Sequence, residues 1–163
     1  PPEAIAFCST DADRAMVAAL EAMDLGAMRT RDRIAAAIRH RLAAVAPSGW
    51  PVILSLWFLR DGDSLVCATQ QSASIVATLA AERRCAFEVS VNDPPYRGVR
   101  GRATVSLEPD ADLATLRRLV ERYLGSADGT FASWLLGRDT PEVAIRLSPT
   151  QIASWDYRRR MRS

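Results

Sequence analysis

The sequence predicts an α+β domain in which helices lie outside a small antiparallel barrel. Three observations carry that expectation. Short apolar segments alternate with polar residues at period two in the middle and at the end of the chain, most of them joined by hairpin chemistry. Three or four separate stretches with helical spacing read as lying outside a sheet of mostly hairpin-adjacent strands. A chain of 163 residues with 48% hydrophobic and 25% charged residues can bury one core and is too short for two ordinary domains.

Residues 1–40 read as an N-terminal arm followed by helices. Residues 1–10 have no strong period and no charged segment leading into an apolar one, so no secretory signal is visible in them. From Asp11, Met16, Ala19, Leu20 and Met23 fall at helical spacing, with Gly26 as the stop. A second helix is expected over Thr30 to about Arg39, where Ile34 and Ile38 share a face, and His40 follows it.

Residues 41–157 read as the barrel. Leu42–Ala46 is a short apolar strand ended by Pro47-Ser48-Gly49. Val52–Leu59 is apolar on both faces and is expected in the middle of a covered sheet, with Ser55 and Trp57 on one face and Leu54, Leu56 and Phe58 on the other. Arg60-Asp61-Gly62-Asp63 is hairpin chemistry, because Asp-Gly tolerates the positive φ of a primed turn. Ser64–Thr69 returns. Ser72 or Ser74 then caps a helix whose inward stripe is Ile75, Val76 and Leu79.

Cys85–Val91 alternates as a half-buried strand, and Asn92-Asp93-Pro94-Pro95 is a loop. Gly98–Leu107 is a long strand with Val99, Ala103, Val105 and Leu107 facing in and Arg100, Arg102, Thr104 and Ser106 wet. Asp110 starts a helix with the stripe Leu113, Leu116, Leu119, Val120 and Tyr123, and Gly125 stops it. Phe131–Leu136 is a short apolar helix or turn. Val143–Leu147 and Ile152–Tyr157 are the last two strands, for a count of about seven, and residues 158–163 form a basic tail.

Composition excludes several classes. All 21 basic residues are arginine, which removes lysine Schiff-base chemistry. Against 19 acidic residues the net charge is +2, too balanced to imply nucleic-acid binding. The longest apolar run is far short of a membrane helix. Cys8, Cys67 and Cys85 have neither disulfide-framework nor zinc spacing, which fits a reducing cytoplasm. There is no GxSxG, HExxH, P-loop or GxGxxG motif, and a single histidine cannot build the common multi-histidine metal sites, so no metal is expected. What remains is a site where a bound cofactor supplies the reactivity. Thr69-Gln70-Gln71-Ser72-Ala73-Ser74 suits it: hydroxyls and amides precede a helix start that can hold an anion, although an ordinary polar cap and turn would look the same.

The pattern LWFLRDGDSLVCAT, a small-residue turn, a helix ending LAAERR, then CAFEVS and PPYRGVRGRATV, resembles the pyridoxamine 5′-phosphate oxidase-like superfamily over roughly Leu42–Leu107. The resemblance implies a six- to seven-stranded antiparallel split β-barrel with peripheral helices. It further implies a homodimer with FMN, or the deazaflavin F420, in a cleft at the interface. Carried over by position, Ser55 and Trp57 lie along the ring, Ala68, Thr69, Gln70 and Gln71 contact the ring or ribityl chain, and Ser72 and Ser74 approach the phosphate. Beside Gly98 and Gly101, Arg97, Arg100 and Arg102 are read either as reaching a phosphate or an acidic substrate from the same or the partner subunit, or as a solvated strand face; Trp155 either covers the pocket or packs the barrel end, and Tyr96 or Ser55 serves as a proton or hydrogen-bond partner. The basic residues expected for the phosphate fall at Ser74 and Ile75 on the helix and at about Ile53 on the strand. The implied function is a flavin-type oxidoreductase moving hydride to or from a small molecule; its alternative is a non-enzymatic protein holding FMN, F420, haem or another planar ligand.

Overall fold

The computed structural model describes residues 39–92 and 94–161. The expected helices before residue 39, the N-terminal arm and Cys8 lie outside them. Seven strands form one antiparallel sheet: β1 (Arg39–Val45), β2 (Pro51–Leu56), β3 (Leu59–Asp61), β4 (Ser64–Gln70), β5 (Arg84–Ser90), β6 (Arg97–Pro109) and β7 (Glu142–Asp156), in the order β2-β1-β5-β6-β7-β4-β3. Helix α1 (Ser74–Ala81) joins β4 to β5, and α2 (Ala114–Leu124) and α3 (Thr130–Leu136) lie between β6 and β7.

The two ends of this order, β2 and β3, are joined in the chain by only Trp57 and Phe58. Three Cα steps span about 11 Å at most. The sheet must therefore curl until its edges nearly meet, which makes an incompletely closed, split barrel. Its interior holds Leu42, Phe58, Cys67, Leu79, Phe87, Val99, Ile145 and Leu147, with α1 contributing Ile75 and Leu79.

This corrects the expectation for Val52–Leu59. It is an outer strand on each side of a break, not one central strand: among the described residues β2 pairs only with β1, and β3 only with β4. The face assignment holds, since Val52, Leu54 and Leu56 pack against the core while Ile53 and Ser55 are exposed. The break is satisfied by Tyr123 of α2. Its hydroxyl accepts from Phe58 N–H at 3.3 Å and donates to Phe58 C=O at 3.4 Å, so the two groups that leave the ladder stay paired.

The last two expected strands are one. β7 runs for 15 residues, and the register places Gln151 opposite Arg102 and Pro149 opposite Ala103, leaving Thr150 as a bulge. Pro149 is tolerated because β4 reaches only to Leu147, so beyond it one side of β7 has no partner to miss a donor.

Two smaller corrections concern α1 and His40. The N-cap of α1 is Ala73 and carries no side-chain cap, so neither Ser72 nor Ser74 plays that part; Ser74 is the first helical residue. His40 lies within β1, fully buried, and Arg39, expected as a helix end, is already strand. A third concerns α2, which stops at Gly125 as expected but starts at Ala114, four residues after Asp110, so that Leu113, expected in its stripe, is its N-cap at φ 57°. Buried Asp110 accepts from Thr115 N–H and Leu116 N–H at 3.0 Å each, and Gly125 ends the helix at φ 79°.

Candidate functional site

A cleft of about 320 Å³ opens where the β2–β3 break meets the end of β4. Its apolar wall is Trp57 with Leu116 and Leu119 of α2 and Phe131 and Leu135 of α3. Trp57 is held flat against Tyr123, ring centroids 5.0 Å apart and 3° from parallel. The same tyrosine thus fixes both the backbone and the indole at this corner. Ser55, Thr69 and Gln70 supply hydroxyls and an amide, and Arg138 and Glu142 close the far side. Apolar walls with a few convergent polar groups are the usual composition of a small-molecule site.

Of the residues expected at the site, the fold brings Ser55, Trp57, Ala68, Thr69 and Gln70 together here. Gln71 lines an adjoining pocket of about 410 Å³ with Asp110, Arg138, Asp139 and Glu142. Ser72 and Ser74 are exposed at the start of α1. Arg100 and Arg102 lie apart from the cleft, on the outer face of the sheet, where they line a groove of about 530 Å³ with Arg41, Ile53 and Glu88. Tyr96, Arg97 and Trp155 gather where β6 begins and β7 ends: Arg97 is opposite Asp156, Tyr157 N–H donates to Tyr96 C=O at 3.0 Å, and Trp155 lies over Gly98. The Arg100 guanidinium sits 6.0 Å from the Trp155 ring.

Arg138 and Glu142 were not legible in advance. They flank a turn between α3 and β7, some seventy residues after Thr69, and nothing in their spacing signals a site. Arg138 Nη2 donates to Glu142 Oε1 at 2.7 Å and Nε donates to Leu135 C=O at 3.2 Å. Glu142 is 4% exposed and its Oε2 has no partner among the described residues. Burial pushes its carboxyl above the usual carboxylate range; the Arg138 charge opposes that and nearby Asp110 adds to it. An unpaired buried acceptor is costly, which makes this carboxylate the most distinctive polar group of the cleft.

The chain's one histidine is elsewhere. His40 is sealed in the barrel between Phe58 and Phe87, its Nδ1 3.6 Å from Cys67 Sγ, and burial pushes its pKa down to about 4. Burial also raises the Cys67 thiol and brings Cys85 to about 11, so neither is a thiolate nucleophile. Among the described residues no cluster of histidine, cysteine and carboxylates can hold a metal ion, and no helix is long and apolar enough to cross a membrane.

The residues fit the ring of a flavin-type cofactor and not its phosphate. A flat aromatic ring matches the Trp57 wall. At the positions expected to grip phosphate, however, Ile53 is 70% exposed on the outer sheet face, Ser74 is exposed and Ile75 is buried.

No protein-family model matches the chain, and no curated protein matches it in sequence. Solved structures do. An F420 reductase superposes with a TM-score of 0.59 at 26% identity, covering 71% of this chain and 89% of its own. A pyridoxamine 5′-phosphate oxidase-related, FMN-binding protein from Nostoc punctiforme gives 0.57 at 18% identity over 92% of this chain and 86% of its own. The haem storage protein HutZ from Vibrio cholerae gives 0.55 at 16% identity over 79% and 95%.

Proposed function

We propose that this chain, which has the split-barrel fold of the pyridoxamine 5′-phosphate oxidase-like superfamily, binds a flavin-type cofactor in the cleft beside Trp57. The observation that carries the reading is Trp57, held flat by the buried Tyr123 behind it, in one cleft with Thr69, Gln70 and the Arg138–Glu142 pair. The wall takes the ring face, the strand-end side chains take its polar edge, and α2 and α3 exclude water. FMN is the first candidate and F420 the second. When bound, such a cofactor supplies hydride chemistry on a small molecule, so the function proposed is a flavin-type oxidoreductase. Ser55 is the hydroxyl in the cleft nearest the role of proton partner; Tyr96 lies at the β6–β7 end and is 42% exposed.

We place the protein in the cytoplasm as a homodimer. The dimer is supported by the outer face of β2, β1, β5 and β6, where Ile53 is 70% exposed and Arg100 and Arg102 have no ion pair among the described residues. A haem reading is less well supported, because an imidazole ligand would have to be His40, which is fully buried away from the cleft.

The test is a titration of the purified chain with FMN and with F420, followed by absorbance and cofactor fluorescence. The expected outcome is saturable quenching by at least one of them, lost in Trp57→Ala. Absence of any spectral change with both sinks the reading. Bleaching of the bound cofactor by a nicotinamide donor, with turnover of an acceptor, separates an oxidoreductase from a passive carrier.

A further inference from the structure

A flavin mononucleotide has two handles: a dianionic phosphate, and a pyrimidinedione edge in which one N–H lies between two carbonyls. The charge distribution in the cleft favours only the second. The charged residues lining it are Arg138 and Glu142, which balance, and the adjoining pocket adds Asp110 and Asp139. A phosphate brought here meets a field that is neutral to negative, with no other arginine on the cleft wall. The start of α1 offers backbone N–H groups but no basic side chain in its first turn.

The Glu142–Arg138 pair has the opposite suitability. Glu142 Oε2 is an acceptor without a partner among the described residues, in a side chain that is 2% exposed. Beside it, Arg138 has used one Nη2 hydrogen and Nε, so Nη1 keeps its donors. Arg138 is further held by the Trp134 ring, 5.4 Å from its guanidinium, which fixes the fork before any ligand arrives. An acceptor fixed next to donors is complementary to an N–H next to a carbonyl.

Resting on the flavin-type reading above, we infer that Glu142 and Arg138 read the imide edge of a planar pyrimidinedione ring, and that this chain leaves a phosphate tail without a charged grip. Glu142 accepts the ring N–H and Arg138 donates to the neighbouring carbonyl. FMN and F420 share this edge and differ in their tails, so the same pair serves either ring.

The experiment is a fluorescence-quenching titration of the full chain with lumiflavin, riboflavin, FMN and N3-methyl-lumiflavin. Lumiflavin, riboflavin and FMN are expected to bind within about threefold of one another. N3-methylation, which deletes the N–H, is expected to weaken binding at least about tenfold, as one lost charge-assisted hydrogen bond does. Glu142→Gln is expected to weaken lumiflavin and FMN by the same factor; the N3-methyl arm gives an answer even where that variant folds poorly. FMN binding about thirtyfold or more tighter than riboflavin, or equal binding of the N3-methylated ring, overturns the inference and leaves the flavin reading standing. Failure of every flavin and of F420 to bind overturns both.

Discussion

At the residue scale, Tyr123 does the most with one side chain. Its ring stacks on Trp57 and its hydroxyl replaces the ladder at Phe58. Tyr123→Phe keeps the ring and leaves the Phe58 N–H and C=O without that partner, so a loss of about 1–3 kcal/mol in urea unfolding is expected. His40 gives a pH signature. Its folded pKa of about 4 lies below the ordinary 6.5, so its neutral form is favoured by folding. Its contribution is whole above pH 6.5 and is lost as the pH falls through about 4. The loss of unfolding free energy between pH 7 and pH 4 should therefore be about 3 kcal/mol larger in the wild type than in His40→Leu; equal losses would refute a buried neutral imidazole. Gly101 has no room for a Cβ, which would run into Gln151 C=O and meet the Phe87 ring at 2.8 Å. Gly101→Ala is expected to cost at least about 2 kcal/mol.

At the scale of elements, α2 is the support of the site. Its stripe Leu116, Leu119, Val120 and Tyr123 was legible from period 3.6; its start was not, since the helix begins at Ala114, and Asp110 acts from four residues upstream on the first-turn N–H groups. Leu119 and Tyr123 pack against Leu59, with Trp57 and Ala68 beside them, so the helix holds the cleft wall in place. Asp110→Ala removes two capping bonds and is expected to cost about 1–2 kcal/mol, read by thermal unfolding, with weakened flavin binding alongside. The β2–β3 break was not legible. An apolar run of eight residues looks like one buried strand whether it crosses a sheet or steps from one edge to the other, because period and hydropathy record burial and not partner. The same limit made one bulged strand look like two, since Pro149 reads as a stop in sequence and sits harmlessly at a bulge in the sheet.

At the scale of the molecule, the outer face of five strands is the surface left to explain. Register places Ile53, Ala43, Ala86, Arg102 and Gln151 in one rung and Ser55, Arg41, Glu88, Arg100 and Ala153 in the next. Glu88 pairs with Arg41 at 2.6 Å, and among the described residues Arg100, which lies opposite Glu88, and Arg102 have no ion pair of their own beside an exposed isoleucine. If this face joins two copies, Ile53→Glu should convert a dimer to a monomer in sedimentation velocity while keeping the circular dichroism of the wild type. Ser55 belongs both to this face and to the cleft, so the same change is expected to weaken flavin binding.

The sequence by itself determined the class of fold, the inward and outward faces of most strands, the stripe and stop of α2, and the polar Thr69-Gln70 strand end, because these are local matters of period, turn chemistry and burial; Trp57 joined that corner through the family resemblance. Only the tertiary structure decided that Val52–Leu59 splits between the two sheet edges, that Arg100 and Arg102 point away from the cleft, and that Arg138 and Glu142 complete it. Those outcomes depend on which strand lies beside which, and on the curl that carries β7 past the end of β4. No repeat or spacing along the chain encodes that proximity.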